Sequence, residues 1–268
     1  MRTGVVERIT RTAALPRRTT LANALARAIT VAVMLATALA CSRKPADDAY
    51  FPLAPGRSWT YTMTPEGGGE PLTLTATIAG PEDMAGTKVT RERIEVDGRT
   101  QFLFVGVDER GIYRHATQAA DAQAPTVEAE RDYFLMLPLD VGHSWQGKTS
   151  PTFLEVADMP VPIVSKIEST SETIRTPAGE FKDCVKIHVT GGAEVRNEFL
   201  EDDAAGGDAA KDDDEDWDPV GGTFTVDEQT WYAKDVGLVR SIVTETFKGK
   251  SGNDDRAQVT TELQAFTR

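Results

Sequence analysis

From Tyr50 to Phe266 apolar and polar residues take turns one at a time, and helical spacing is hard to find. "FKDCVKIHV" sets Phe181, Val185, Ile187 and Val189 against Lys182, Lys186 and His188. The last segment sets Ala257, Val259, Leu263 and Ala265 against Gln258, Thr260, Glu262 and Gln264. A period of two buries one face of a strand and wets the other, which is the pattern of antiparallel sheets. Thr-rich and aromatic runs such as "SWTYTM" and "PLTLTATI", parted by "PEGGGE", add strand propensity and a hairpin loop. The fold class expected is therefore all-β, an antiparallel curved sheet or a sandwich. "RIEVDGRTQFLFV" is the clearest hairpin, turning at Asp97-Gly98. A two-residue loop pairs Ile94 with Gln101 and a three-residue loop pairs it with Phe102. Burial favours the second. Ala116 to Pro125, rich in Ala and Gln without an apolar stripe, is expected to be a loop or a single helical turn.

The first forty residues stand outside this pattern. Six Arg and one Glu make a basic leader, and Ala28 to Ala40 is apolar except for Thr30 and Thr37. That run is shorter than the ~20 residues needed to span a bilayer and suits a secretory signal peptide. It ends in "ALAC", which resembles the lipobox of bacterial lipoproteins. The resemblance implies cleavage after Ala40 and acylation of Cys41, with chains such as palmitate. The domain reading is signal peptide over 1–40, lipid-anchored tether over 41–49, and β domain over 50–268. Ser42 after the cysteine does not retain a proteobacterial lipoprotein at the inner membrane. That rule implies the outer membrane, on its periplasmic or surface face, in a Gram-negative cell.

The chain carries −13, and the leader holds +5 of positive charge, so residues 41–268 stand at −18. A surface this acidic repels nucleic acid and anionic headgroups. Half of that charge lies in Glu201 to Asp218, where ten acids face only Lys211. Asp212, Asp214 and Asp216 are weak candidates for a metal, since the spacing lacks the alternation and closing Glu of a calcium loop. The favoured reading of 201–222 is a solvated acidic loop without fixed structure.

"PLAPGRSW" (Pro52–Trp59) returns as "PLDVGHSW" (Pro138–Trp145), with Pro, Leu, Gly, Ser and Trp at equal offsets. Proline sets the approach, glycine permits a positive-φ turn, and tryptophan starts a strand pointing inward. Trp59, Trp145 and Trp231 each stand beside a turn signal and are candidates for either core plugs or a ligand cleft; plugging is the default. "YFPLAPGRSWTY", "TPAGEFKDCVKI" and "TWYAKDVGLVRS", in that order, resemble a family of bacterial β-rich secreted proteins and lipoproteins. The resemblance implies a fold and a compartment and brings no functional residues with it.

Catalytic motifs are missing from the sequence: His115, His143 and His188 lack metal spacing, and no nucleophile elbow or phosphate loop occurs. Cys184 and His188 share a strand face ~13 Å apart, too far for a thiol dyad. Lys182 and Lys186 flank the thiol, yet a lone strand cysteine reads first as a small buried hydrophobe. No catalytic residue and no cofactor is expected. The leading functional expectation is a non-catalytic envelope scaffold or interaction protein. A carrier of a lipid or other apolar ligand in a curved-sheet cavity comes second, and a hydrolase a distant third. Replacing the acylated thiol tests the anchor: Cys41→Ser is expected to shift the protein from the membrane to the soluble or unprocessed fraction. Intact mass of membrane-extracted protein with a bare Cys41 thiol would refute the lipobox reading.

Overall fold

The computed structural model describes residues 49–154, 159–195, 221–250, 252 and 254–267. All fall in the larger of the chain's two units, Pro45–Arg268. The segment expected to be a signal peptide, Cys41, and Asp212, Asp214 and Asp216 lie outside the described residues.

Among the described residues every long element is a strand. The first six are β1 (Ser58–Pro65), β2 (Leu72–Met84), β3 (Thr87–Val96), β4 (Arg99–Asp108), β5 (Gly111–Ala119) and β6 (Thr126–Met136). The second six are β7 (Ser144–Thr149), β8 (Val161–Thr176), β9 (Gly179–Val195), β10 (Gly222–Ala233), β11 (Gly237–Gly249) and β12 (Asp254–Phe266). They form one antiparallel sheet in the order β6-β5-β4-β3-β2-β1-β12-β11-β10-β9-β8-β7. Each half is a six-strand meander, and the β1–β12 ladder joins the halves. β6 and β7 approach one another without a ladder, so the barrel-like sheet is nearly closed, with a seam there. The all-β expectation holds, and the curved sheet rather than the sandwich is what forms.

Alternation sorts the side chains as the sequence implies. On β9, Val185 and Ile187 are buried with their β10 neighbours Tyr232 and Thr230. Three apolar groups succeed one another: one around Trp59, Ile78 and Leu263, one around Trp145, Ile112 and Ile187, and one around Phe224 and Val161. The third is held partly by a polar contact. Glu245, only 2% exposed, accepts backbone N–H bonds from Thr152, Phe153 and Leu154 at 2.8–2.9 Å.

Two local expectations are corrected. Ile94 faces Gln101, not Phe102, because Asp97 (φ 48°) and Gly98 (φ 73°) make a two-residue turn of positive φ at both positions. Such a turn matches the twist of its flanking strands. Ile94 finds its apolar neighbour on β2, opposite Ala76, while Phe102 packs on the other face against Val89, Phe104 and Ala116. Ala116 to Ala119 is strand rather than loop, the closing part of β5. A further break of phase lies in β12. A bulge opposite Thr60/Tyr61 leaves Ala265 exposed and sets Phe266 across from Trp59. At the acidic stretch, Gly222 already belongs to β10 and pairs with Val195.

The two copies of the repeated octapeptide build the same joint. Gly56 (φ 84°) donates its N–H to the Ile78 carbonyl, and Ile78 donates back to Arg57, both at 2.9 Å. Gly142 (φ 91°) donates to Ile167 at 2.8 Å, and Ile167 donates back to His143 at 2.9 Å. A β-carbon would meet nothing within 4 Å at either glycine, so backbone conformation, not space, demands it. Each tryptophan then enters its strand at the second residue and is buried. The Trp59 indole N–H donates to the Val236 carbonyl and that of Trp145 to the Tyr133 carbonyl at 2.9 Å. Trp145 thereby ties β7 to β6 across the seam. Trp145→Ala is expected to cost ~3–5 kcal/mol in urea unfolding, and an unchanged midpoint would show that the joint is not structural.

Candidate functional site

The inner wall is not completely filled. A cavity of about 210 Å³, partly open to solvent, lies between the first meander and the facing strands β10 and β11. Trp59 and Tyr61 of β1, Leu103 of β4, Phe134 of β6 and Tyr232 of β10 are among its lining residues. The polar atoms of the first two are already engaged with main chain. The Trp59 N–H reaches Val236 at 2.6 Å and the Tyr61 hydroxyl donates to the Leu238 carbonyl at 3.1 Å. Their rings are thus tied to the main chain at their polar edges. Phe51, from the segment entering β1, stacks on Phe134 with ring centroids 5.7 Å apart and planes at 2°.

One carboxyl interrupts this apolar surface. Glu92 of β3 stands between Ile78 on β2 and Leu103 on β4, is 7% exposed, and lines the cavity. No described residue pairs or hydrogen-bonds with it. Burial, with nothing opposing it, pushes its pKa from the usual 4.5 to about 7. Its charge also reaches the neighbouring phenols: burial foremost, then Glu92, raises Tyr61. Tyr232 is raised by burial, then by Glu228 and Glu92. Glu228, on the same face of β10 as Tyr232, is likewise raised to about 7, by burial and then by the charge of Asp132. By surface area Glu228 is half-buried where Glu92 is buried.

The residues singled out from the sequence divide sharply. Trp59 lines the cavity. Trp145 plugs the seam. Trp231 is buried on the face opposite Tyr232, its indole N–H donating to Glu172 at 2.7 Å, with Lys186 and Arg240 5.4 and 5.8 Å from its ring. Cys184 is fully buried, and burial pushes its thiol up to about 11, which makes thiolate chemistry at neutral pH unfavourable. Lys186 is drawn instead to Glu168 at 2.9 Å. His188 lies between Glu168 (3.0 Å) and Asp227 (2.9 Å) and does not line the cavity. Among the described residues no group of three or more His, Cys, Asp or Glu is placed to hold a metal ion, and no helix is long and apolar enough to cross a membrane.

Sequence reasoning missed Glu92 altogether. The available signal was its parity: in "RERIEV" it falls in phase with Ile94 and Val96, the inward set, whereas Arg93 and Glu95 fall outward and pair with one another at 2.7 Å.

No protein-family model and no curated protein sequence matches the chain. Among solved structures it is similar to a protein assigned as a lipoprotein from Parabacteroides distasonis, with 14% identity and a TM-score of 0.37, over 81% of this chain and 98% of that one. It is also similar to a protein assigned as exported, with a YmcC-like fold, from Bacteroides fragilis. There the identity is 14% and the TM-score 0.32, over 82% of this chain and 99% of that one. Likenesses this distant carry nothing over to the role of the chain.

The desolvated carboxyl makes a signed prediction. Between pH 4.5 and about 7 the folded protein holds a proton on Glu92 that the unfolded chain has released. Stability therefore falls as pH rises through that window, by ~3 kcal/mol if Glu92 acts alone. Glu228 works in the same direction. Glu92→Gln is expected to melt with the parent near pH 4.5 and several degrees above it at pH 8. Coincident melting curves at pH 8 would mean that the carboxyl is not desolvated.

Proposed function

We propose that this protein is a lipid-anchored protein of the bacterial envelope that binds a small, largely apolar ligand inside its barrel-like sheet and performs no chemistry on it. The single observation that carries the reading is the aromatic-walled cavity of about 210 Å³. Close-packed interiors seldom leave voids much larger than a water molecule, and dry apolar cavities of ~150 Å³ are large enough to take up a benzene-sized guest. This raises the binder above the scaffold that the sequence ranks first, since a scaffold gains nothing from an unfilled core. The envelope assignment draws on the leader and the "ALAC" run before Cys41, and the outer membrane on Ser42. Catalysis finds little support: the buried thiol is held in its neutral form, and the His188 ring is engaged on both sides by carboxylates.

A neutral probe tests the reading without reference to charge. Calorimetric titration with 1-octanol is expected to show saturable binding to the parent. Leu103→Trp, which fills the cavity from β4, should weaken that binding at least tenfold with the far-ultraviolet circular dichroism unchanged. Absence of binding to the parent, by this probe and by charged probes of the same chain length, returns the scaffold to first place.

A further inference from the structure

An unpartnered carboxyl in an apolar wall is costly to bury, and natural interiors pair such groups. Glu245 of the same protein shows the ordinary solution, three backbone N–H donors on one buried carboxylate. Glu92 has no such partner among the described residues, is more than nine-tenths buried, and lines the cavity. Among the described residues neither Lys nor Arg lines that space, and its aromatic lining is Phe51, Trp59, Tyr61, Phe134 and Tyr232, of which Tyr61 and Tyr232 feel the charge of Glu92.

We infer that the cavity takes an organic cation, an apolar body carrying an ammonium group, with the Glu92 carboxylate as counter-ion and the aromatic rings as walls. The inference rests on the ligand-binding reading above and gives that ligand its chemical class. Aromatic faces attract ammonium groups, alkylated ones included, because their π-systems are electron-rich. A carboxylate beside them supplies the full opposite charge in surroundings that screen it poorly. The field of the rest of the molecule acts in the same sense. Residues 41–268 stand at −18, and Glu228 and Asp132 place further acid groups along the interior, of which Asp132 is paired with Arg114 at 2.7 Å. A fatty acid or phosphate-bearing lipid would bring a second negative charge to Glu92 and be repelled. A neutral alcohol would fill the space but give the carboxyl no counter-charge.

Three probes of equal chain length separate these cases: octyltrimethylammonium, 1-octanol and octanoate. Each is titrated into the full chain carrying Cys41→Ser, in detergent-free buffer at pH 8 with 0.15 M salt. The ammonium probe is expected to bind at least tenfold more tightly than the other two. Glu92→Gln should abolish that advantage and leave 1-octanol binding intact, whereas Glu92→Asp, which keeps the charge, should retain most of it. Octanoate binding as tightly as the ammonium probe would overturn the inference while leaving an apolar binding site in place. So would a Glu92→Gln variant that keeps the cation preference, because the attraction would then belong to the acidic surface at large. Failure of all three probes on the parent removes the ligand-binding reading itself, and this inference with it.

Discussion

The ladder between β1 and β12 is what makes one sheet out of two meanders. Trp59 faces Phe266, Tyr61 faces Leu263, and Met63 faces Thr261, so the first and last strands of the domain are hydrogen-bonded neighbours. Neither meander has a strand that covers its own inner face, and an open six-strand sheet would expose that face to water. Pairing the ends curves the whole into a nearly closed wall and places the seam at the opposite side, between β6 and β7. The bulge at Thr60/Tyr61 belongs to this function. An extra residue on β12 bends the strand and raises its twist, which turns Leu263 and Phe266 toward the core at the point where closure requires it.

The same ladder sets the position of the cavity. Trp59 and Tyr61 point inward from β1, and each donates to the main chain around the β10–β11 turn, at Val236 and Leu238. Two aromatic side chains thus bridge from the first half to the second and hold the walls apart at a fixed spacing. The N-terminal approach adds Phe51, stacked on Phe134 and 6.5 Å from the Tyr232 ring. Rings that are bonded at their edges or stacked on one another cannot collapse inward without losing those contacts, and the void between them persists.

Most of the fold was legible because a period of two is a direct record of which face is wet. The repeated octapeptide was legible for a related reason: positive φ at Gly56 and Gly142 and two inward tryptophans are local demands that a sequence displays. What escaped were the choices made between strands. The Asp97-Gly98 turn decided the β3–β4 register against the pairing of Ile94 with Phe102, because Ile94 had another apolar neighbour waiting on β2. At β12 a one-residue bulge reversed the parity of Ala265 and Phe266, and nothing in "LQAF" announces it. The cavity wall was found in part, through Trp59. Trp145 and Trp231 share the same sequence context and line other parts of the structure, since proximity to a turn does not say which strands will lie opposite.

Two inward-facing glutamates, Glu92 and Glu245, carry the clearest lesson. Glu92 is in phase with Ile94 and Val96, and Glu245 with Val243 and Phe247, so each stands out in its strand as an acid where an apolar residue is due. Parity alone treats them as equals. Their surroundings do not. At Glu245 the chain folds residues 152–154 back so that three amide donors meet the carboxylate, and the charge becomes part of the scaffold. At Glu92 the flanking positions are Ile78 and Leu103, the Tyr61 hydroxyl is already bonded to the Leu238 carbonyl, and the carboxyl lines the open cavity. Stability alone would be served equally well by a leucine there, or better, because a buried group without a partner opposes folding whenever it is charged. A residue that works against the fold at neutral pH, in a wall otherwise built of rings and aliphatic chains, and that no described residue pairs, is the feature on which the proposed organic cation rests.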